Sequence, residues 1–164
     1  MVVNNFETYI ELLCRMHKSI LHNDTERHFI DDSTEKETAM DSIARYPLVV
    51  LTREGFTYNG QDTDFSKKKA RTLLIVDHVT DNGDSTKIQD CYNRCELIGD
   101  QFLRRMMADK RKRLYSFLTM FSLVGIEGSY VENQDDSLYG IALTLEVDDK
   151  FRQTECNDPF NSIE

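Results

Sequence analysis

Two residue pairs in this chain have the types and spacing to hold a metal ion. Cys14 and His17 stand three apart, and Cys91 and Cys95 stand four apart, so each pair shares one face of a helix. If those helices pack together, three thiolates and one imidazole make a tetrahedral zinc site. One-turn helical pairs, however, lack the knuckle spacing of most structural zinc sites. Cysteine is also among the side chains most often buried without doing chemistry. Buried free thiols are the plainer reading, and no cofactor is expected.

A second grouping, Asp77-His78 followed by Asp81 and Asp84, has the ingredients of a metal-dependent hydrolase. On a strand, neighbouring residues point to opposite faces, so Asp77 and His78 do not converge. Asp81-Asn82-Gly83-Asp84 also has the composition of a turn leading into a helix cap. No nucleophile elbow, phosphate-cradling glycine loop or His-Glu-x-x-His pattern occurs. The expectation is a protein that is not an enzyme.

Charge supplies the remaining candidates. The net charge of −9 opposes general binding to a phosphate backbone. Yet Lys67, Lys68, Lys69 and Arg71, with Arg104, Arg105, Lys110, Arg111, Lys112 and Arg113, hold ten of the twenty basic residues. Acidic residues crowd Asp24–Glu37 and Asp148–Glu164 instead. Separated patches of opposite sign suit contact between copies or with a charged neighbour. A solvated helix end complementing the helix dipole is the plainer account of Lys110–Arg113. In the acidic tail, Phe151 and Phe160 are the large apolar residues that a partner could bury.

The elements that must position these residues follow from periodicity. Phe6, Ile10, Leu13, His17 and Ile20 recur at spacings of four and three, which predicts a helix over Asn5–Leu21 capped by Asn4 with Glu7. His17 lies in that stripe, where a packed histidine is the ordinary occupant. His28-Phe29-Ile30 reads as a short edge strand or a pinned loop. Thr34-x-x-Glu37 starts a short helix running to about Arg45, which Pro47 stops. Leu48–Thr52 then reads as a strand buried on both faces, Gly55–Asp64 as a turn-rich excursion at a hairpin tip, and Arg71–Val79 as a second apolar strand. Asp84 or Ser85 caps the longest helix, to about Lys112, with its stripe on Ile88, Cys91, Tyr92, Cys95, Ile98, Phe102 and Met106. Phe117–Val131 and Ser137–Val147 are the last strands. In the latter, Ile141, Leu143, Leu145 and Val147 alternate with Ala142, Thr144 and Glu146.

These elements predict an α+β domain over residues 1–149, with helices on a mixed, largely antiparallel sheet, and an acidic tail over 150–164. At 164 residues the chain is one domain, long enough to bury a proper core. No run is long enough to span a bilayer, and Met1-Val2-Val3 followed by two asparagines is no signal peptide. With cysteines at no disulfide-framework spacing, a soluble protein of a reducing compartment is expected.

Four stretches together resemble a known group: Ala44-Arg45-Tyr46-Pro47-Leu48-Val49, Leu73–Gly83, the long helix through Ile98-Gly99-Asp100, and Asp136–Val147. Their order is similar to that in small virion proteins of tailed phages of Bacteroides-type hosts. These form the tail-terminator and head–tail joining group, which includes ring proteins of crAss-like phages. The resemblance implies a mixed sheet flanked by helices, assembled side by side into a ring around the DNA channel. It implies no catalytic residues. It carries over Tyr46-Pro47 entering a core strand, the Asp77-His78-Val79 strand end and Leu138-Tyr139-Gly140 opening the last strand. This chain departs in having Ile141-Ala142-Leu143 where a bulkier Trp or Arg follows the glycine. The expected function is thus a structural virion protein, made in the host cytoplasm, whose partners are its own copies and neighbouring portal, connector or tail proteins. DNA would pass without specific binding. Lys67–Lys69, Arg71, Lys110–Arg113, Phe151 and Phe160 are the expected contact residues. A small phage- or host-encoded protein-binding module is the first alternative and the hydrolase the second.

Overall fold

Val49, Leu51, Leu73, Ile75, Ile141, Leu143 and Leu145 all come to one face of a single sheet, because each sits at an odd position of a strand with period two. The structure, a computed structural model, describes residues 3, 5–32, 44–52, 55–61, 64–81 and 83–149. Its strands are β1 (Arg27–Asp31), β2 (Ala44–Leu51), β3 (Gly55–Gln61), β4 (Asp64–His78), β5 (Phe121–Asn133) and β6 (Leu138–Asp149). Its helices are α1 (Phe6–Met16) and α2 (Ser85–Arg111), and a short 3-10 turn, Ser116–Met120, leads into β5.

The sheet runs β1-β2-β4-β6-β5, with β3 on β4 as well. β1 is parallel to β2, and every other pair is antiparallel. β2 and β3 follow one another along the same side of β4. Leu48–Leu51 oppose Val76–Leu73, and Gly55–Gln61 oppose Ala70–Asp64. The fold class is therefore α+β, a mixed sheet with helices packed on it.

α1 and α2 cover the face carrying Leu73 and Ile141. Tyr9, Ile10, Cys14, Ile98, Phe102 and Met106 fill the space between. Burying each large apolar side chain is worth about 1.5–3 kcal/mol, so this face supplies most of the cohesion. α2 lies close because Gly99 faces the sheet. A Cβ there would stand 2.8 Å from Ile141 Cδ1 and 3.1 Å from Leu143 Cδ1. The other face holds a smaller cluster of Ile30, Leu48, Val50 and Val76, joined by Leu74 and Val131. The continuous Leu-Val-Val-Leu run of β2 is thus buried on both sides, as its composition predicts.

Several element bounds differ from expectation, each for a local reason. α1 ends at Met16 because His17 turns extended, and the amides of Ile20 and Leu21 return to the His17 carbonyl. Its cap is Asn5, not Asn4. The Asn5 side chain accepts from the Thr8 amide at 2.9 Å, and the Thr8 hydroxyl closes the reciprocal box. Ala44 and Arg45 belong to β2 rather than to a helix end, and Pro47 lies within that strand. The Pro47 carbonyl accepts from His28 Nδ1 at 2.9 Å, which ties β1 to β2. Gly55–Gln61 is a strand rather than a loop, since β4 extends back to Asp64 and pairs with it. β5 starts at Phe121 after the 3-10 turn, not at Phe117. The expected helix over residues 34–43 and the tail over 150–164, with Phe151 and Phe160, lie outside the described residues.

β5 departs from regular pairing once. Between Ser122 and Glu127 it covers the span that β6 covers from Glu146 to Thr144. The excess forms a wide bulge. Gly125 takes φ 70° in it, a left-handed conformation that glycine adopts at little cost. Beside it Val124 is 88% exposed.

Candidate functional site

The residues with chemical potential are placed apart from one another. Cys14 is buried on α1, while Cys91 and Cys95 are buried on α2 against the end of β4 and the start of β6. The Cys91 thiol lies 3.4 Å from the Tyr139 carbonyl, which accepts from it. Burial pushes all three thiols above their ordinary pKa, and nearby carboxylates add to this for Cys14 and Cys91. His17 turns to α2, with Nε2 2.7 Å from Gln101 Oε1 and its ring on Phe102. Among the described residues, no three His, Cys, Asp or Glu side chains gather closely enough to hold a metal.

Asp77 and His78 face opposite sides of β4. Asp77 is buried under α2, its Oδ1 accepting from the His78 amide at 2.8 Å. Its Oδ2 lies 3.0 Å from Arg94 Nη1, a charge contact rather than an aligned hydrogen bond. His78 is exposed, with its ring 5.9 Å from Tyr46. Asp84 is the α2 cap, accepting from the Thr86 and Lys87 amides, and those bonds hold its carboxyl below the usual range. Asp81 pairs with Lys87 at 3.2 Å. These four residues occupy a strand end and a helix cap.

The basic residues divide by environment. Arg71 is buried, which corrects its assignment to a contact surface. Its guanidinium pairs with Glu7 of α1, approaches Asp31 of β1 at 3.5 Å and donates to the Thr52 carbonyl at 3.2 Å. It thus joins two strand ends to α1 from inside the chain. Lys67 and Lys68 oppose Asp149 and Asp148 on β6, and Lys69 opposes Val147. Asp148 and Asp149 are therefore the last residues of β6 and pair along β4. Lys110 donates to the Phe121 carbonyl, pinning the end of α2 to the start of β5. Arg111, Lys112 and Arg113 are exposed.

The concave regions among the described residues include two that the sequence does not single out. The larger, about 670 Å³, opens between α1 and β1 and is lined by Glu7, Glu11, Arg15, His22, Asp24 and Asp31, among others. Its charges answer one another. Arg15 reaches Glu11 at 2.9 Å and Asp24 at 2.7 Å, and Arg71 takes Glu7 and Asp31. The smaller, about 260 Å³, lies between α2 and β5. Ile141 and Leu143 form its floor, Gly128, Ser129 and Tyr130 its wall, and Glu96 and Asp100 its rim. Tyr130 packs edge-on against Tyr92 at 4.8 Å and donates from its hydroxyl to Glu96. The first region is a structural ion-pair network, and the second offers an apolar floor beneath two carboxylates, the chemistry of a contact surface. The signal for Arg71 is present in the sequence: counting back by twos from Ile75 and Leu73 puts it on the helix-covered face. The grooves depend on contacts across the chain and have no such signal.

Comparison with family models, with curated proteins and with solved structures found no match to this chain. Among the described residues, no helix is long and apolar enough to cross a membrane.

Proposed function

We propose that this chain is a structural, non-enzymatic virion protein, a tail-terminator-like ring component of a phage head-to-tail connector or tail. Its copies stand side by side around the DNA channel and meet portal, connector or tail neighbours above and below. The observation that carries this reading is the unlike pair of sheet edges. On one side β5 offers thirteen residues with no further described strand beyond it. On the other, β1 offers five, running parallel to its neighbour, and β3 offers seven beside β4.

Open edges of such length pair with other chains unless covered. Two edges of different length and direction favour contact between unlike surfaces, and a repeated unlike contact closes into a ring when the rotation permits. The exposed Val124 at the bulge adds an apolar contact beside the long edge. The order of elements likened above to the phage ring group supports the same reading. Sedimentation of the full chain across a wide concentration range tests it. The expected result is one discrete species at a multiple, above two, of the 19.1 kDa chain mass. A monomer or a dimer throughout overturns it.

A further inference from the structure

We infer that copies of this chain meet head to tail through α2, with the basic end of the helix in one copy seated in the acid-rimmed groove between α2 and β5 of the next. The inference rests on the ring reading above and names its contact.

The groove has an apolar floor and a charged rim. Gly128 leaves room beside Leu143, since a Cβ at that position would stand 3.3 Å from Leu143 Cδ2. Glu96 accepts the Tyr130 hydroxyl, and Asp100 has no partner among the described residues. Leu97, next to Glu96, is 58% exposed. Such a site fits a long cationic side chain, whose stem lies on the floor while its head meets the carboxylates. An apolar neighbour of that side chain would cover Leu97.

The chain itself carries that combination. Arg111, Lys112 and Arg113 are exposed and have no ion-pair partner among the described residues, and Leu114 beside them is 52% exposed. Arg105 and Lys110 differ, being engaged with Asp109 and the Phe121 carbonyl. The two patches cannot meet within one chain. Glu96 and Arg111 are fifteen residues apart on one helix, about 22 Å at 1.5 Å per residue. Between copies each patch is used once, so the contact repeats with the same sense and leaves none unused when the ring closes.

The test is charge reversal with rescue, read by sedimentation of the full chain. One variant carries Arg111→Glu and Arg113→Glu, a second carries Glu96→Arg and Asp100→Arg, and a third carries all four changes. The expected result is that each of the first two weakens association roughly tenfold or more, because like charges then face each other, while the third regains most of the loss. Failure of the third to recover overturns the pairing. Assembly of the first two at wild-type strength overturns this inference and leaves the ring reading standing. A wild-type chain that is monomeric throughout removes both. If the first variant assembles normally but loses retention on duplex DNA, the basic end meets nucleic acid and the inference is wrong.

Discussion

The Tyr9 hydroxyl donates a 2.9 Å hydrogen bond to Asp109 Oδ2, tying the first helix to the last turn of α2 across 100 residues of sequence. The same oxygen accepts from Arg105 Nε at 2.8 Å, and Asp109 is buried at 2% exposure. Burial, with the carboxylate beside it, pushes the Tyr9 phenol above its ordinary pKa. Tyr9→Phe removes one bond to a buried charge and is expected to cost about 1.5–3 kcal/mol in urea unfolding. A cost below about 0.5 kcal/mol contradicts a structural role for the pair.

The contact between α2 and the sheet gives a second test. Phe102 is buried between α2 and the sheet, so Phe102→Ala is expected to destabilise by about 3–5 kcal/mol. A change under about 1 kcal/mol means that the helix packs by another face.

Two glycines should respond differently to the same substitution. A Cβ at Gly140 would stand 2.0 Å from the Ile75 carbonyl oxygen, a backbone atom of the central strand. At Gly99 the nearest atoms are the ends of Ile141 and Leu143, which can shift. Thermal melts should therefore fall further for Gly140→Ala than for Gly99→Ala. The reverse order contradicts the register of β4 against β6.

The acid limb of stability should depend on His22. This ring is buried, and its Nδ1 accepts from the His28 amide at 3.1 Å. Burial first, and the charge on Arg15 second, lower its pKa below 6.5, against the weaker pull of Glu11. The folded chain then binds fewer protons than the unfolded one as pH falls through that value. The contribution is present above 6.5 and is lost as pH drops towards the folded pKa. Urea titrations between about pH 7 and pH 5 should show a slope that His22→Gln flattens. An unchanged slope means that the ring does not titrate with folding.

Cys14, Cys91 and Cys95 should resist thiol reagents in the native chain and react on unfolding. All three are buried, and their raised pKa values leave little thiolate at neutral pH. Mass spectrometry after brief alkylation reads this directly. Rapid native labelling of Cys91 or Cys95 contradicts the packing of α2.

What the sequence made legible is what local periodicity determines. The alternation Ile141, Leu143, Leu145 and the stripe Cys91, Cys95, Ile98, Phe102, Met106 are both buried as read. The edge strand at His28–Ile30 is also present. Less legible were features set by distant partners. Gly55–Gln61 has the composition of a turn and becomes a strand because β4 runs alongside it. Arg71 follows three lysines and looks solvated, yet Glu7 and Asp31 draw it inside. The capping box lies one residue later because the Glu7 carboxylate is taken by Arg71, while Asn5 and Thr8 supply the reciprocal bonds.

Ring formation is tested most directly by electron microscopy of the assembled full chain. Closed annuli of uniform size, with an open centre wide enough for duplex DNA, are the expected result. Compact dimers, open filaments or single 19.1 kDa particles would contradict it.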